Sequence, residues 1–400
     1  MEIFTFFQYN KKLIVSLGII LGGKMADNRK KVLTVFGTRP EAIKMAPLVK
    51  ELLKDDEIET KVAVTAQHRE MLDQVMSCFE ITPDYDLNMM KHGQTLADIT
   101  STALKGLMEI IHEEKPDVVF VHGDTTTTFA GALAAFYEQT AIGHIEAGLR
   151  TGDKYAPYPE EMNRCLTGVL TDFHFAPTET AKQNLLACGV KEDKILVTGN
   201  TVIDALLQTV EKECDLAEYG LTDVKWDKKV ILLTCHRREN WGQPMEEIFS
   251  AVARIADEYQ DTVEIVYPVH KNPLVREIAH RHLDGKANIH FCEPLDYQPF
   301  AKLMSKSYLV LTDSGGMQEE APALGKPVLV LREVTERPEA IAAGTAMLIG
   351  NSEARVYDGV KKLLDEKSAY DAMAHAANPY GDGTASKQIV EGIKKFLANK

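Results

Sequence analysis

The stretch Lys31–Leu53, KVLTVFGTRPEAIKMAPLVKELL, decides the fold of this chain. Its opening run, Lys31–Phe36, is rich in Val, Leu and Phe, as a strand is when helices cover both faces of its sheet. Gly37-Thr38-Arg39-Pro40-Glu41 follows. Glycine permits a tight turn there, and proline suits the first turn of a helix. Glu41–Leu53 then reads as an amphipathic helix. Strand, glycine turn and helix together make half of a βαβ unit.

The same alternation runs outward from this stretch. Further strands are expected at Lys61–Thr65, Asp117–His122, Ala141–Glu146, Phe173–Ala176 and Lys194–Thr198, with helices such as Leu96–Glu113 and Phe129–Tyr137 between them. The pattern restarts at Lys229–Thr234 and continues through Val263–Pro268, Ile289–Cys292, Tyr308–Thr312, Pro327–Leu331 and Ala346–Ile349. Thr201–Glu211 looks helical, Cys214–Lys228 is polar and irregular, and Ala385–Lys400 is a helix with charged and apolar faces. The fold class is therefore α/β, with two Rossmann-like lobes of parallel sheet and a ligand cleft between them. The domains are an extension (1–24), a first lobe (25–205), a second lobe (206–380) and a final helix (381–400), with the boundary inside the stretch 200–228.

Composition agrees with this organisation. The chain has 400 residues, 45% hydrophobic and 26% charged, which suits two globular domains and excludes bulk disorder. Its 45 Lys+Arg against 59 Asp+Glu give a net charge of −14, which argues against a general nucleic-acid binder but leaves room for one small anion in a basic pocket. The cysteines at 78, 165, 188, 214, 235 and 292 form no CxxC pair and no metal-like spacing. They read as reduced thiols in the cytoplasm, with no zinc site and no disulfide framework. Met1–Lys24 imitates a signal peptide, with Lys11 and Lys12 ahead of the apolar run Leu13–Leu21, too short to span a bilayer. The other reading makes Met25 the true start, and the cysteine usage favours it.

Candidate functional residues cluster at strand ends. Arg39, with Lys44 one turn into the helix, is placed to hold a phosphate, against the alternative of a surface pair with Glu41. Asp124 follows one strand, where it could simply cap the next helix. Glu146 ends another, and Glu160 opens a helix after a Pro- and Tyr-rich loop. Three acidic sites at successive element ends of one lobe suit general acid–base chemistry.

In the second lobe, His236, Arg237 and Arg238 make an anion site at a strand end, or else pair with Glu239 and Glu246. Ser314, Gly315 and Gly316 open a helix so that backbone N–H groups can approach a phosphate, and Glu320, one turn on, can accept from ribose hydroxyls. Phe300 offers a ring for a base, or belongs to the core. Arg337 sits near a further strand end. A nucleotide diphosphate fits this arrangement. GxGxxG, GxxxxGK[ST] and G-x-S-x-G are all absent.

Taken together, VFGTRPEAIKMAPL from Val35, HGDTTT from His122, HIEAGLRT from His144, PEEMNR from Pro159, HRREN from His236, PVHKNP from Pro268 and TDSGGMQEEAP from Thr312 resemble the non-hydrolysing UDP-N-acetylglucosamine 2-epimerase family. The likeness covers Lys31–Lys400. It implies a glycosyltransferase B type fold with the last helix crossing back to the first lobe, and a cytoplasmic homodimer. It further implies interconversion of UDP-GlcNAc and UDP-ManNAc without cofactor or metal, supplying ManNAc for cell-surface polysaccharide. By resemblance, Asp124, Glu146, Glu160 and His236 are catalytic. Arg39, Lys44, Arg237, Arg238, Phe300, Ser314, Gly315, Gly316, Glu320 and Arg337 would hold UDP or the sugar. Gln67, His68 and His270 match an activating second UDP-GlcNAc site of some relatives. Glu70 (Gln in activated relatives) and the surroundings of Gly93 (Arg there) depart from it. Rival readings on the same fold are a retaining glycosyltransferase, a hydrolysing epimerase and a non-catalytic sugar-nucleotide sensor.

Overall fold

A computed structural model describes residues 29–66, 69–90 and 93–398. Gln67, His68 and the extension 1–24 lie outside the described residues, as does the side chain of Glu70. The first sheet contains β1 (Lys30–Phe36), β2 (Ile58–Val64), β3 (Tyr85–Asp86), β4 (Val118–His122), β5 (Ala141–Ile145), β6 (Phe173–Ala176) and β7 (Ile195–Val197). The second contains β8 (Lys229–Thr234), β9 (Val263–Pro268), β10 (Ile289–Cys292), β11 (Leu309–Thr312), β12 (Val328–Val330) and β13 (Ala346–Leu348). Their orders are β3-β2-β1-β4-β5-β6-β7 and β10-β9-β8-β11-β12-β13, with every pairing parallel.

Both orders reverse direction once, between β1 and β4 and between β8 and β11. At such a switch point the loops after neighbouring strands diverge to opposite faces and open a crevice for a ligand. The sequences that follow these four strands are Gly37–Glu41, Gly123–Thr128, Cys235–Asn240 and Asp313–Gly316. They are the turns where the sequence placed most of its candidate chemistry.

The central strands are sealed on both faces, which is why they lack polar alternation: Val32, Leu33, Val35 and Phe36 of β1 are all fully buried. The helix Thr201–Val210 faces both cores, Ala205 packing with the first and Ile203 and Leu206 with the second. The helix Ala385–Ala398 packs on the first lobe through Ile389, Val390, Ile393 and Leu397. Phe396 stacks on Phe173 with ring centroids 4.4 Å apart. Asp204 accepts from Ala385 N at 3.2 Å and from Ser386 N at 2.7 Å, anchoring the start of this helix.

Several elements escaped the sequence reading, among them the helices Glu179–Ala187, Gln243–Glu258 and Glu353–Asp365. The two-residue β3 is too short to show alternation, and the helix Arg69–Phe79 was not singled out. Two of the named helices start earlier than expected, one at Arg39 rather than Glu41 and one at Thr126 rather than Phe129. Threonine is a poor helix former, but here tertiary bonds decide. Thr125 caps the helix through Thr128 N, the Thr65 and Thr127 hydroxyls meet at 2.9 Å, and Thr128 donates to His122 O.

Candidate functional site

The turn after β1 is built around a buried carboxylate. Glu41 is 2% exposed and accepts from Gly37 N (3.1 Å), Thr38 N (2.8 Å), Thr125 Oγ1 (2.7 Å) and Thr128 Oγ1 (3.2 Å). Thr38 and Glu41 also form a capping box for the helix Arg39–Leu53. Glu41 thus ties the β1 turn to the β4 turn and is unavailable as the surface partner of Arg39. Arg39 instead borders a cleft of about 640 Å³, with Tyr219, Tyr297 and Gln298 among its walls.

The same sorting applies to the acidic candidates. Thr125 is the helix cap, so Asp124 is not needed for capping. The Asp124 carboxylate pairs with Arg164, and its backbone carbonyl accepts from Asn163 Nδ2 at 2.9 Å. Burial pushes the Asp124 carboxyl up from its ordinary value; Arg164 and Lys44 oppose this, while Glu146 and Glu160 add to it. Glu160 and Glu161 divide. Glu161 is buried, accepts from Thr151 N and Gly152 N, and pairs with Arg164, which fixes the preceding loop. Glu160, half-buried at the start of its helix, contributes to the field at Asp124. The three carboxylates of the sequence reading therefore share one corner of the cleft.

Glu146 is the most constrained of them. It adopts φ +60°, a left-handed conformation costly for a residue with a Cβ. Its Oε1 takes Lys44 Nζ and accepts from Asn200 Nδ2 at 2.8 Å, and His122 Nε2 stands 3.9 Å from Oε2. Burial alone would raise this carboxyl, but Lys44, His122 and Asn200 outweigh it and bring the value down to about 2. Gly123, at φ +68°, leaves the space this carboxylate uses: a Cβ there would stand 3.3 Å from Glu146 Oε2. Lys44, read from the sequence as a phosphate ligand, is thus engaged by Glu146.

Buried imidazoles back this corner. Burial pushes His122 and His144 each down to about 4, and His144 Nε2 lies 2.7 Å from the Gly123 carbonyl. Both rings are therefore neutral near pH 7.

Asp313, fully buried, organises the opposing wall. Its Oδ2 accepts from His236 N and Arg237 N, both at 2.8 Å, and from Asn240 Nδ2 at 3.1 Å. This holds the turn after β8 against the turn after β11. The His236 ring, 3.5 Å from Asp313 Oδ1 through Nδ1, stacks on His270 with centroids 5.5 Å apart.

A pocket of about 290 Å³ lies beneath, bounded by His236, His270, Leu295, Phe300, Ser314 and Glu320. Phe300 packs against the core, as the second of its two readings expects, and also lines this pocket. Gly315 lies beside the Arg237 guanidinium, to which an added Cβ would come within 3.7 Å; at Gly316 the added Cβ would meet Glu320 Oε1 at 3.4 Å. Burial, with Glu319 adding, pushes the Glu320 carboxyl up to about 8.

Glu239 and Glu246, the alternative partners of the His236–Arg238 turn, are taken by Arg332 and by Arg281 with His282. Arg238 does not join the pocket; it lies over the Trp241 ring, 5.9 Å from its centroid. Arg337 binds Glu319 rather than standing open. Sequence reasoning missed Asn200, Glu319, Glu41, His122 and Arg164, each of which resembles an ordinary cap or surface charge in one dimension. Among the described residues, no group of His, Cys, Asp and Glu could hold a metal ion, and no helix is long and apolar enough to cross a membrane.

Comparison with known proteins gives the family. Residues 50–394 match the family model described as UDP-N-acetylglucosamine 2-epimerase. The UDP-N-acetylglucosamine 2-epimerase of Bacillus subtilis (strain 168) is 59% identical over 363 residues, which cover 91% of this chain and 94% of that protein. A crystal structure of a putative UDP-N-acetylglucosamine 2-epimerase from Listeria monocytogenes superposes with a TM-score of 0.88 at 54% identity, covering 93% of this chain and 98% of that one. The crystal structure of UDP-GlcNAc 2-epimerase from Neisseria meningitidis bound to UDP-GlcNAc gives a TM-score of 0.79 at 53% identity, covering 91% and 100%. The chain belongs to the UDP-N-acetylglucosamine 2-epimerase family, and its two lobes are of the glycosyltransferase B type.

Proposed function

We propose that this protein interconverts UDP-GlcNAc and UDP-ManNAc by elimination and re-addition of UDP. The observation that carries the reading is the shared corner of Asp124, Glu146 and Glu160, set across the cleft from the pocket of His236, Phe300 and the Ser314–Gly316 turn. A related structure bound to UDP-GlcNAc supports the choice of ligand.

In this reading the base and ribose occupy the second-lobe pocket, and the sugar faces the carboxylates. A carboxylate takes the C2 proton while the C1–O bond to UDP breaks, giving a bound 2-acetamidoglucal. A proton then returns to the other face of C2, and the UDP oxygen closes on C1. Backbone N–H groups at Gly315 and Gly316, with Arg237 and His236, answer the charge that develops on the leaving diphosphate.

Environment separates the carboxylates into roles. Glu146 stays ionised. Burial raises the Asp124 carboxyl from its ordinary value, so of the two it is Asp124 whose surroundings favour the protonated form. Glu160 approaches from a different element and serves the second face. The ManNAc product would supply cell-surface polysaccharide.

Incubation with UDP-GlcNAc alone, followed by 1H and 31P NMR, tests the overall reaction. UDP-ManNAc should grow to a constant ratio without steady release of UDP. Sustained appearance of UDP and free ManNAc would indicate hydrolysis instead. Inertness until a sugar acceptor is added would indicate a transferase.

A further inference from the structure

Asn200 lies outside every motif that marks the family in this sequence. It stands where the chain leaves β7 and enters the helix Thr201–Val210, the helix that faces both cores. Its Oδ1 caps that helix, accepting from Val202 N at 3.1 Å, and its own N–H donates to Tyr380 O at 2.7 Å. Capping needs only the oxygen, and aspartate would provide it equally well.

The amide nitrogen does something a cap does not require. One Nδ2 donates to carboxylates of both lobes: Glu146 Oε1 at 2.8 Å and Glu319 Oε2 at 2.9 Å. Beyond them, Lys44 holds the same oxygen of Glu146, and Arg337 holds the other oxygen of Glu319. A chain Lys44–Glu146–Asn200–Glu319–Arg337 therefore runs across the cleft. Asn200 and Glu319 are buried, so water competes little for these bonds.

We infer that Asn200 is a positioning residue that ties the Glu146 carboxylate to the nucleotide lobe through Glu319 and Arg337, so that its aim at the sugar is set by how the lobes meet. The inference rests on the proposed epimerase reaction. The amide has two hydrogens for two carboxylates. An aspartate here would oppose both with a third negative charge, and a serine would keep the cap without the reach.

The test compares wild type, Asn200→Asp and Asn200→Ser in steady-state epimerisation of UDP-GlcNAc, with UDP affinity by calorimetry and folding by thermal denaturation. Both variants keep an N-cap oxygen. The expected result is a fall in kcat of ~10–100-fold, the scale of a misplaced reacting group, with UDP affinity within threefold of wild type and a folded protein at assay temperature. Glu319→Ala reads the same link from the other lobe and should lower kcat at least fivefold.

Wild-type kcat in folded Asn200 variants would overturn the inference. So would a loss of activity that tracks only the loss of folded protein, or a wild-type kcat in Glu319→Ala. An inactive wild-type enzyme would instead strike the parent reading.

Discussion

The two lobes share an architecture but hold their functional groups in opposite ways. In the first, the groups are sunk and wired to one another. The Glu146 side chain is 9% exposed and bound by Lys44 and Asn200, and Glu41 is closed over by four donors. In the second, Asp313 holds the turn after β8 through two backbone N–H groups and Asn240, while the pocket-lining His236 side chain stays 41% exposed. Proton transfer at carbon rewards fixed geometry and a dry surround, whereas a diphosphate that must leave and return needs donors that stay accessible. The difference between the lobes follows the two halves of the proposed reaction.

The largest effect that would break this comparison is expected at the first lobe. Asp124→Asn should lower turnover at least 100-fold, within the ~10²–10⁴ range of acid–base groups, while UDP binding by calorimetry stays near wild type. Near-normal turnover would remove Asp124 from the chemistry.

Next comes the wiring itself. Glu41→Ala leaves Gly37 N and Thr38 N without their partner and should cost about 2–6 kcal/mol in denaturant unfolding, since each buried orphan donor costs about 1–3. A change under 0.5 kcal/mol would mean the turn is held by something else.

His122 and His144 in the first lobe and Glu320 in the second should tilt the stability curve in opposite directions. His122 and His144 fall to about 4 in the folded protein from an ordinary 6.5. The unfolded chain therefore binds more protons between those values, and stability drops as pH falls from 6.5 towards 4, by up to ~1.4 kcal/mol per pH unit per histidine. Glu320 rises from an ordinary 4.5 to about 8, so there the folded protein holds its proton longer and stability drops as pH rises from 4.5 to 8. Glu320→Gln should flatten the alkaline side of the stability curve and leave the acid side unchanged; an alkaline slope equal to wild type would contradict this.

The smallest effect is expected at Gly316→Ala. The new Cβ would fill space beside the Ser314–Gly316 turn, in contact with Glu320 Oε1 at 3.4 Å, and should raise KM for UDP-GlcNAc roughly fivefold, about 1 kcal/mol. An unchanged KM would place the nucleotide elsewhere.

The legible parts of the molecule were those that obey one-dimensional rules. β6, β8, β9 and β10 fall where their apolar runs begin and end, because buried parallel strands show no polar alternation. Three of the four switch-point turns were legible because glycine or proline marks them, and the turn after β8 because His236, Arg237 and Arg238 stand together there. Asn200 was not, since its cap role hides two donations, one to a carboxylate of each lobe, that only the fold brings within reach. Glu161 and Glu160 look identical in sequence; Thr151 N and Gly152 N, folded back over one of them, tell them apart. The start of the helix at Thr126 was hidden because threonine has low helix propensity, and only the fold brings Glu41 to Thr128 and Thr65 to Thr127.

The central claim is that the first-lobe carboxylates move the proton at C2 of a UDP-bound sugar. The direct measurement is to incubate the enzyme with UDP-GlcNAc in D2O and follow C2 by NMR. The account predicts deuterium at C2 in UDP-ManNAc and in recovered UDP-GlcNAc, with the incorporation lost in Asp124→Asn. Epimerisation that keeps the original hydrogen at C2, or no exchange at all, would contradict it.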